Sequence, residues 1–160
     1  MIQSADTIEL TIPAKPEYVG IVRLTTSGVA NRMGYSYDDI EDIKIAVSEA
    51  CTNAVKHAYK DVENGQIAIR IECHTDRIEI MVIDKGASFD YQQVVGKLKP
   101  LDPNMSLDQV NEGGLGLFLI DTLMDDITIS SESGIVVMMT KFLNRDGVDS
   151  FADKVSTSTE

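Results

Sequence analysis

Glu49, Asn53 and His57 recur at a spacing of four residues in the middle of the chain. On an α-helix this spacing places the three side chains on a single face. The amide oxygen of Asn53, together with phosphate oxygens and waters, suits octahedral Mg²⁺, and Glu49 one turn away is placed to accept a proton from a hydroxyl. His57 is more typical of a hydrogen-bonding or capping residue at a helix end. A solvated helix edge has the same pattern, so the trio alone does not decide the chemistry.

An apolar run ends at Asp84, which Lys85 and Gly86 follow. A carboxylate at a strand end can accept a hydrogen bond from an exocyclic amine such as that of adenine, and a glycine nearby lets the backbone approach a ring. A simple Asp-containing turn that ends the strand is the alternative interpretation.

A glycine cluster, Gly113, Gly114 and Gly116, leads directly into an apolar segment. A glycine-rich turn before a helix directs free backbone N–H groups at an anion, which favours phosphate binding. The cluster lacks the GK[ST] of a Walker A motif and the glycine spacing of a dinucleotide-binding fingerprint. A flexible hinge remains the alternative.

These residues need helices and strands to position them, and the hydrophobic periodicity predicts both. An apolar stripe that includes Ile43, Val47 and Ala50 predicts a helix over 38–59. Alternation and turn residues predict strands at 7–12, 66–73, 77–83, 126–130 and 135–142, with further helices at 16–34 and 115–124. The polar stretch 85–114 has the composition of a long functional loop. This order predicts an α+β fold, a two-layer sandwich with helices on one face of a mixed, mainly antiparallel sheet.

The composition limits the classes of partner. The 160 residues include 26 acidic and 14 basic side chains, a formal charge of −12, which argues against nucleic acid or an anionic membrane as the main partner. Cys51 and Cys73 lack metal-site spacing and are expected to be buried free thiols. Met1–Ala14 does not have the pattern of a signal peptide, and no apolar run is long enough for a membrane helix, so we expect a cytoplasmic protein. The sequence predicts one domain over 1–145 and a flexible tail over 146–160.

Taken in order, the three motifs resemble the boxes of the GHKL superfamily of ATP-binding domains, which has the Bergerat fold. The N, G1 and G2 boxes resemble EACTNAVKHAY at 49–59, DKG at 84–86 and EGGLGLFLI at 112–120. Over nearly its full length the chain resembles the bacterial anti-sigma factor serine kinases of the RsbW type. The likeness is carried by IELTIPAKPEYVGIVRLTTSGVANRMGY, IEDIKIAVSEACTNAVKHAYK and NEGGLGLFLIDTLMDD.

The resemblance implies ATP and Mg²⁺ as cofactors, with Glu49 as general base, Asn53 as magnesium ligand and Asp84 as adenine acceptor. It implies that Thr140 lies on the last strand beside the adenine, and that Arg23 on the first helix contacts a protein partner. The remaining residues that it assigns to ATP binding are His57, Gly86, Gly113, Gly114, Leu115, Gly116 and Leu117. Some relatives carry a basic residue before the G2 glycines, where this chain has Glu112. Lys97 or Lys99 could supply that charge, and a solvated loop lysine is the alternative interpretation of either.

The implied function is that of an anti-sigma factor and serine-protein kinase. Such a protein sequesters a sigma factor of the sigma-B type and phosphorylates a serine of the anti-anti-sigma factor that competes for it. The family forms homodimers, which we therefore expect here. Two alternatives are an ATP-dependent partner-binding switch without kinase activity and the catalytic module of a histidine kinase. The latter needs a phosphoacceptor histidine, and neither His57 nor His74 lies in a segment suited to that role.

Overall fold

The computed structural model describes residues 5–61, 65–84, 99–100, 114–130 and 136–144. Within these residues three helices and six strands follow one another in the order β1, α1, α2, β2, β3, β4, α3, β5 and β6. Their bounds are β1 Asp6–Pro13, α1 Val19–Met33 after a 3₁₀ turn at Pro16–Tyr18, α2 Tyr37–Asp61, β2 Gln66–Cys73, β3 Arg77–Ile83, β4 Lys99–Pro100, α3 Gly114–Leu123, β5 Asp126–Ser130 and β6 Val136–Phe142.

The strands form one sheet in the order β1-β2-β3-β6-β5-β4. Every pairing among the described strands is antiparallel, where the sequence predicted a mixed, mainly antiparallel sheet. Alternate residues of the central strands, such as Ile69, Ile80 and Met139, share one core with buried residues of all three helices. The helices therefore cover one face of the sheet, and the predicted α+β two-layer fold is confirmed.

The connection between α1 and α2 is fixed to the sheet by Tyr35. Gly34 ends α1 with a φ of 99°, in the left-handed region that glycine adopts without steric cost. The Tyr35 hydroxyl donates a hydrogen bond to the Lys141 carbonyl and accepts one of 2.9 Å from the backbone N–H of Ile78. Burial raises the pKa of Tyr35. The start of α2 is thereby held at one end of the central strand pair β3 and β6.

The predicted stripe of α2 is the part of that helix that enters the core. Ile43, Val47, Ala50 and Ala54 are all buried. At its start, the Ser36 hydroxyl accepts a 3.2 Å hydrogen bond from the backbone N–H of Asp39, as an N-cap residue does. Glu49 and Asn53 lie beside this stripe on α2, and both side chains are half-buried.

The structure describes both cysteines and allows the membrane expectation to be compared with its helices. Both cysteines are free, with Cys51 buried as predicted and Cys73 only half-buried because it ends β2. No helix among the described residues has the length and apolar character that crossing a membrane requires. The predicted tail at 146–160 lies outside the described residues, and the domain bounds stay a prediction.

Candidate functional site

The N-terminal turn of α3 lies directly against Glu49 and Asn53 of α2. A Cβ atom built on Gly116 would lie 2.9 Å from Oε2 of Glu49 and 3.1 Å from Nδ2 of Asn53. The first of these is closer than Cβ contacts normally come, so any larger residue at this position would have to displace the Glu49 carboxylate. Gly116 of the glycine cluster and the pair Glu49 and Asn53 on α2, which are about 65 positions apart in the sequence, therefore meet in space.

The beginning of α3 is suited to holding an anion. Gly114 is its first residue, and the first four N–H groups of a helix have no partner within the helix. The helix dipole adds a partial positive charge at the same end. Since this end faces Glu49 and Asn53, an anion bound there lies next to a carboxylate and an amide.

Asn53 has unused hydrogen-bonding capacity at this point. Its Nδ2 atom is buried and has no hydrogen-bond partner among the described residues. A buried amide nitrogen without a partner is costly, which indicates that a ligand completes the site. The nitrogen can donate to a phosphate oxygen, while the amide oxygen is a ligand that Mg²⁺ accepts. The residues present therefore fit a magnesium–nucleotide phosphate group.

Asp84 lies where the sequence predicted, immediately after β3. The four preceding residues of β3 are buried, and Asp84 itself is only 7% exposed. A carboxylate sheltered from water in this way can discriminate between the donors and acceptors of a base, because a mismatched partner there is costly. Asp84 thus has the burial that adenine recognition needs.

The register of the sheet does not bring Thr140 to Asp84. Thr140 pairs with Glu79, whereas the β6 residue at the Asp84 end is Val136, which pairs with Ile83. Val136 and Thr140 are four positions apart along β6, about 13 Å at 3.3 Å per residue. Thr140 is therefore remote from Asp84 along the sheet, and its position beside the adenine stays a prediction.

The other predicted site residues have the following positions. Leu117 is half-buried and packs against the main core, and Arg23 is exposed on α1. Lys99 lies on β4, opposite Ile129 of β5. His57 and Leu115 lie on α2 and α3, with side chains outside the described part of the structure. The predicted residues outside the described ranges altogether are Gly86, Lys97, Glu112 and Gly113.

Known proteins match this chain over most of its length. A family model described as the histidine kinase-like ATPase domain matches residues 12–141. The serine-protein kinase RsbW of Bacillus velezensis is 58% identical over 149 residues, which cover 93% of each chain. The chain belongs to the RsbW serine-protein kinases of the histidine kinase-like ATPase family. That of Bacillus subtilis is 57% identical over 149 residues, 93% of each chain, and that of Halalkalibacterium halodurans 54% over 160 residues, 99% of this chain and 98% of the relative.

A solved structure shows the same fold at lower identity. The crystal structure of the RsbU and RsbW domains of a Mycobacterium tuberculosis protein aligns with a TM-score of 0.57 at 20% identity, over 86% of this chain and 32% of that one. Membership of an ATPase-domain family means that the RsbW-type chain binds ATP. The resemblance read from the three sequence boxes is thereby confirmed.

Proposed function

We propose that this RsbW-family chain binds ATP with Mg²⁺ between α2 and α3 and transfers the γ-phosphoryl group to a serine of an anti-anti-sigma factor. The same chain also acts as an anti-sigma factor that sequesters a sigma factor of the sigma-B type. The observation that carries the proposal is the contact between Gly116 and the pair Glu49 and Asn53, since it assembles an anion-binding helix end, a carboxylate and a cation-binding amide. Each of these is a component that phosphoryl transfer requires.

Glu49 has the role of general base. As the serine hydroxyl oxygen forms its bond to the γ-phosphorus, the bond from that phosphorus to the β–γ bridging oxygen breaks, and the hydroxyl proton passes to the Glu49 carboxylate. ATP supplies the phosphoryl group, and Mg²⁺ held by Asn53 would offset the charge of its phosphates. The carboxylate is half-buried and one helical turn from Asn53, so it faces the place where the phosphate is held.

Asn53, the start of α3 and Asp84 position the nucleotide. Asn53 would hold Mg²⁺ through Oδ1, and the amides that open α3 would bind phosphate oxygens. Asp84 would accept a hydrogen bond from the adenine amine. These residues come from two helices and the end of a strand that share one core, which gives the site a rigid frame.

The first experiment compares the wild type with Glu49→Gln, using labelled ATP and a candidate anti-anti-sigma protein. We expect label transfer to fall by about 100-fold or more, the scale of lost general-base catalysis, while ATP affinity changes little. Glu41→Gln is the matched control, because Glu41 lies on the same helix in a surface pair with Lys44, where N–O is 3.1 Å. Transfer at the wild-type rate by Glu49→Gln would contradict the assignment of the base.

The same experiment separates the kinase from the other functions. A protein that uses ATP only as a switch would bind nucleotide and partner without transferring label. A histidine-kinase module would label a histidine, but His74 follows β2 in a tight turn and His57 belongs to α2, so neither lies on a separate dimerising helix. Acid-stable label on a serine of the partner would support the proposal.

We also propose that α1 carries protein contacts, those of Arg23 with a partner and those of a homodimer. In support, α1 exposes apolar side chains: Leu24 is 72% and Ile21 46% exposed, beside the exposed Arg23. Charge reversal in Arg23→Glu should reduce capture of the sigma factor or the anti-anti-sigma factor at least about tenfold, as loss of an interface anchor does, and leave ATP affinity unchanged. Arg32→Glu, at the exposed end of the same helix, is the matched control for net charge. Equal capture by both variants would remove Arg23 from the interface, and light scattering would test the dimer.

A further inference from the structure

Lys141 lies on β6 at the junction of α2 and α3. Its side chain is only 12% exposed. The ammonium group donates a 2.6 Å hydrogen bond to the carbonyl of Leu123, the last residue of α3. It also lies 3.6 Å from Oδ2 of Asp42 and 3.9 Å from Oδ1 of Asp39, both in the first two turns of α2. One largely buried cation thus contacts the end of one helix and the beginning of another.

The surrounding contacts fix the end of α3 to the sheet. Asp125, just after α3, donates from its backbone N–H to the Thr140 carbonyl at 2.9 Å, and its carboxylate accepts a 2.6 Å hydrogen bond from the N–H of Phe142. These contacts tie α3 to β6, and α3 also packs directly on α2 at Gly116 and in the core. Lys141 adds a polar connection between the end of α3 and the beginning of α2.

The electrostatics favour a cation at this position. The carbonyl end of α3 carries partial negative charge, and Asp39 and Asp42 are carboxylates at the start of α2. The limited exposure of Lys141 reduces solvent screening of these attractions. Replacing the charge would therefore remove an attraction that draws the two helix ends together.

Both helices connect this junction to the proposed site, and their chain directions are opposite: α2 begins at the junction and α3 ends there. Along α2, Glu49 is seven residues after Asp42, and along α3, Gly116 is seven residues before Leu123. Each interval is about 10.5 Å of helix. Because the spans are equal, a shift of α3 at the Lys141 junction would change which residue of α3 meets Glu49.

We propose that Lys141 is a positioning residue that sets the register of α3 along α2, and through it the seat of Gly116 against Glu49 and Asn53. The inference rests on the proposed function, since it assumes that this contact forms the phosphate site. Lys141 acts through α3 and touches neither nucleotide nor substrate. Its effect should therefore appear in nucleotide binding more than in the chemical step.

The test compares Lys141→Met, which keeps the length of the side chain, with Lys141→Arg, which keeps the charge. We expect Lys141→Met to raise the Kd and KM for MgATP about tenfold, with kcat at saturating ATP changed less than threefold. Lys141→Arg should restore both constants to within threefold of wild type. Amide exchange across Gly114–Leu123, measured without nucleotide, should be faster in Lys141→Met.

A matched control separates positioning from general loss of an ion pair. Arg70→Met removes a 2.7 Å pair with Glu9 on the sheet face away from the helices, and should leave ATP binding and α3 exchange unchanged. If Lys141→Met does not fold, Asp42→Asn weakens the same junction and should raise the Kd about threefold. An unchanged Kd in a folded variant, or no rescue by arginine, would overturn the inference. Absence of ATP binding by the wild type would instead refute the proposed function, while α3 exchange would still test the junction.

Discussion

At the scale of single residues, Gly116 is constrained by the two side chains that face it from α2. The atom nearest to an added Cβ, at 2.9 Å, is Oε2 of Glu49, which is the free end of a flexible side chain. An alanine can therefore be accommodated by displacing the carboxylate without unfolding the helix. The alanine should instead lower the rate of phosphate transfer, since a shift of about 1 Å in a catalytic group can lower a rate by about two orders of magnitude.

Gly116→Ala should accordingly keep the thermal midpoint within a few degrees of wild type and reduce phosphate transfer at least tenfold, as expected for a misplaced base. Gly28→Ala is the control, because a Cβ on Gly28 of α1 meets no atom within 4 Å. Transfer assays and thermal melts on both variants make the comparison. Wild-type transfer by Gly116→Ala would show that Glu49 tolerates displacement and is not held by the glycine.

At the scale of elements, local patterns predicted most boundaries because the signals that end these elements are local. The predicted strands at 66–73, 77–83 and 126–130 are those observed. The two-residue β4, Lys99–Pro100, was missed within a predicted loop, since its pairing with β5 depends on a partner about 30 residues away. The left-handed residue Gly34 that ends α1 was found at the predicted place.

Replacing Gly34, which follows α1, and Gly28, which lies inside it, by alanine should change the free energy of unfolding in opposite directions. Gly34 has a φ of 99°, so Gly34→Ala forces a side chain into the left-handed region and should lower the free energy of unfolding by about 1–2 kcal/mol. Gly28 lies inside the helix with open space around it, so Gly28→Ala should raise that free energy by roughly 0.5–1 kcal/mol. Urea unfolding of the two variants measures both values. A stabilising Gly34→Ala would mean that α1 ends differently in solution.

The sequence was sufficient to predict which residues belong to the candidate site, but less so how they are arranged in space. Glu49, Asn53 and Asp84 follow from motif and periodicity, because their spacing is local. The contact of Gly116 with Glu49 depends on how α3 packs on α2, and the separation of Thr140 from Asp84 depends on the register between β3 and β6. Both are long-range properties that no single segment encodes.

At the scale of the whole molecule, one core joins all three helices to one face of the sheet, and Cys51 lies within it. Its side chain is fully buried on α2, two residues before Asn53. Removal from water penalises the thiolate and raises the pKa of Cys51 from 9.0 to about 12. The stability of the core therefore depends on pH in alkaline solution.

In the unfolded chain the Cys51 thiol ionises above about pH 9, whereas in the folded protein it keeps its proton up to about pH 12. Between these values the folded state binds more protons than the unfolded state, so the stability that is fully present below pH 9 declines as the pH rises, by about 1.4 kcal/mol per pH unit. Between pH 8 and 10.5 the wild type should lose ~2 kcal/mol more of its free energy of unfolding than Cys51→Ala does.

The alanine variant is less stable at neutral pH because it leaves a cavity, so only the slopes are compared. Tyr35, whose pKa burial also raises, contributes equally to both proteins at the upper end of this range. Urea unfolding at pH 7, 8, 9.5 and 10.5 gives the two curves, and parallel curves above pH 9 would show that Cys51 reaches water in the folded protein.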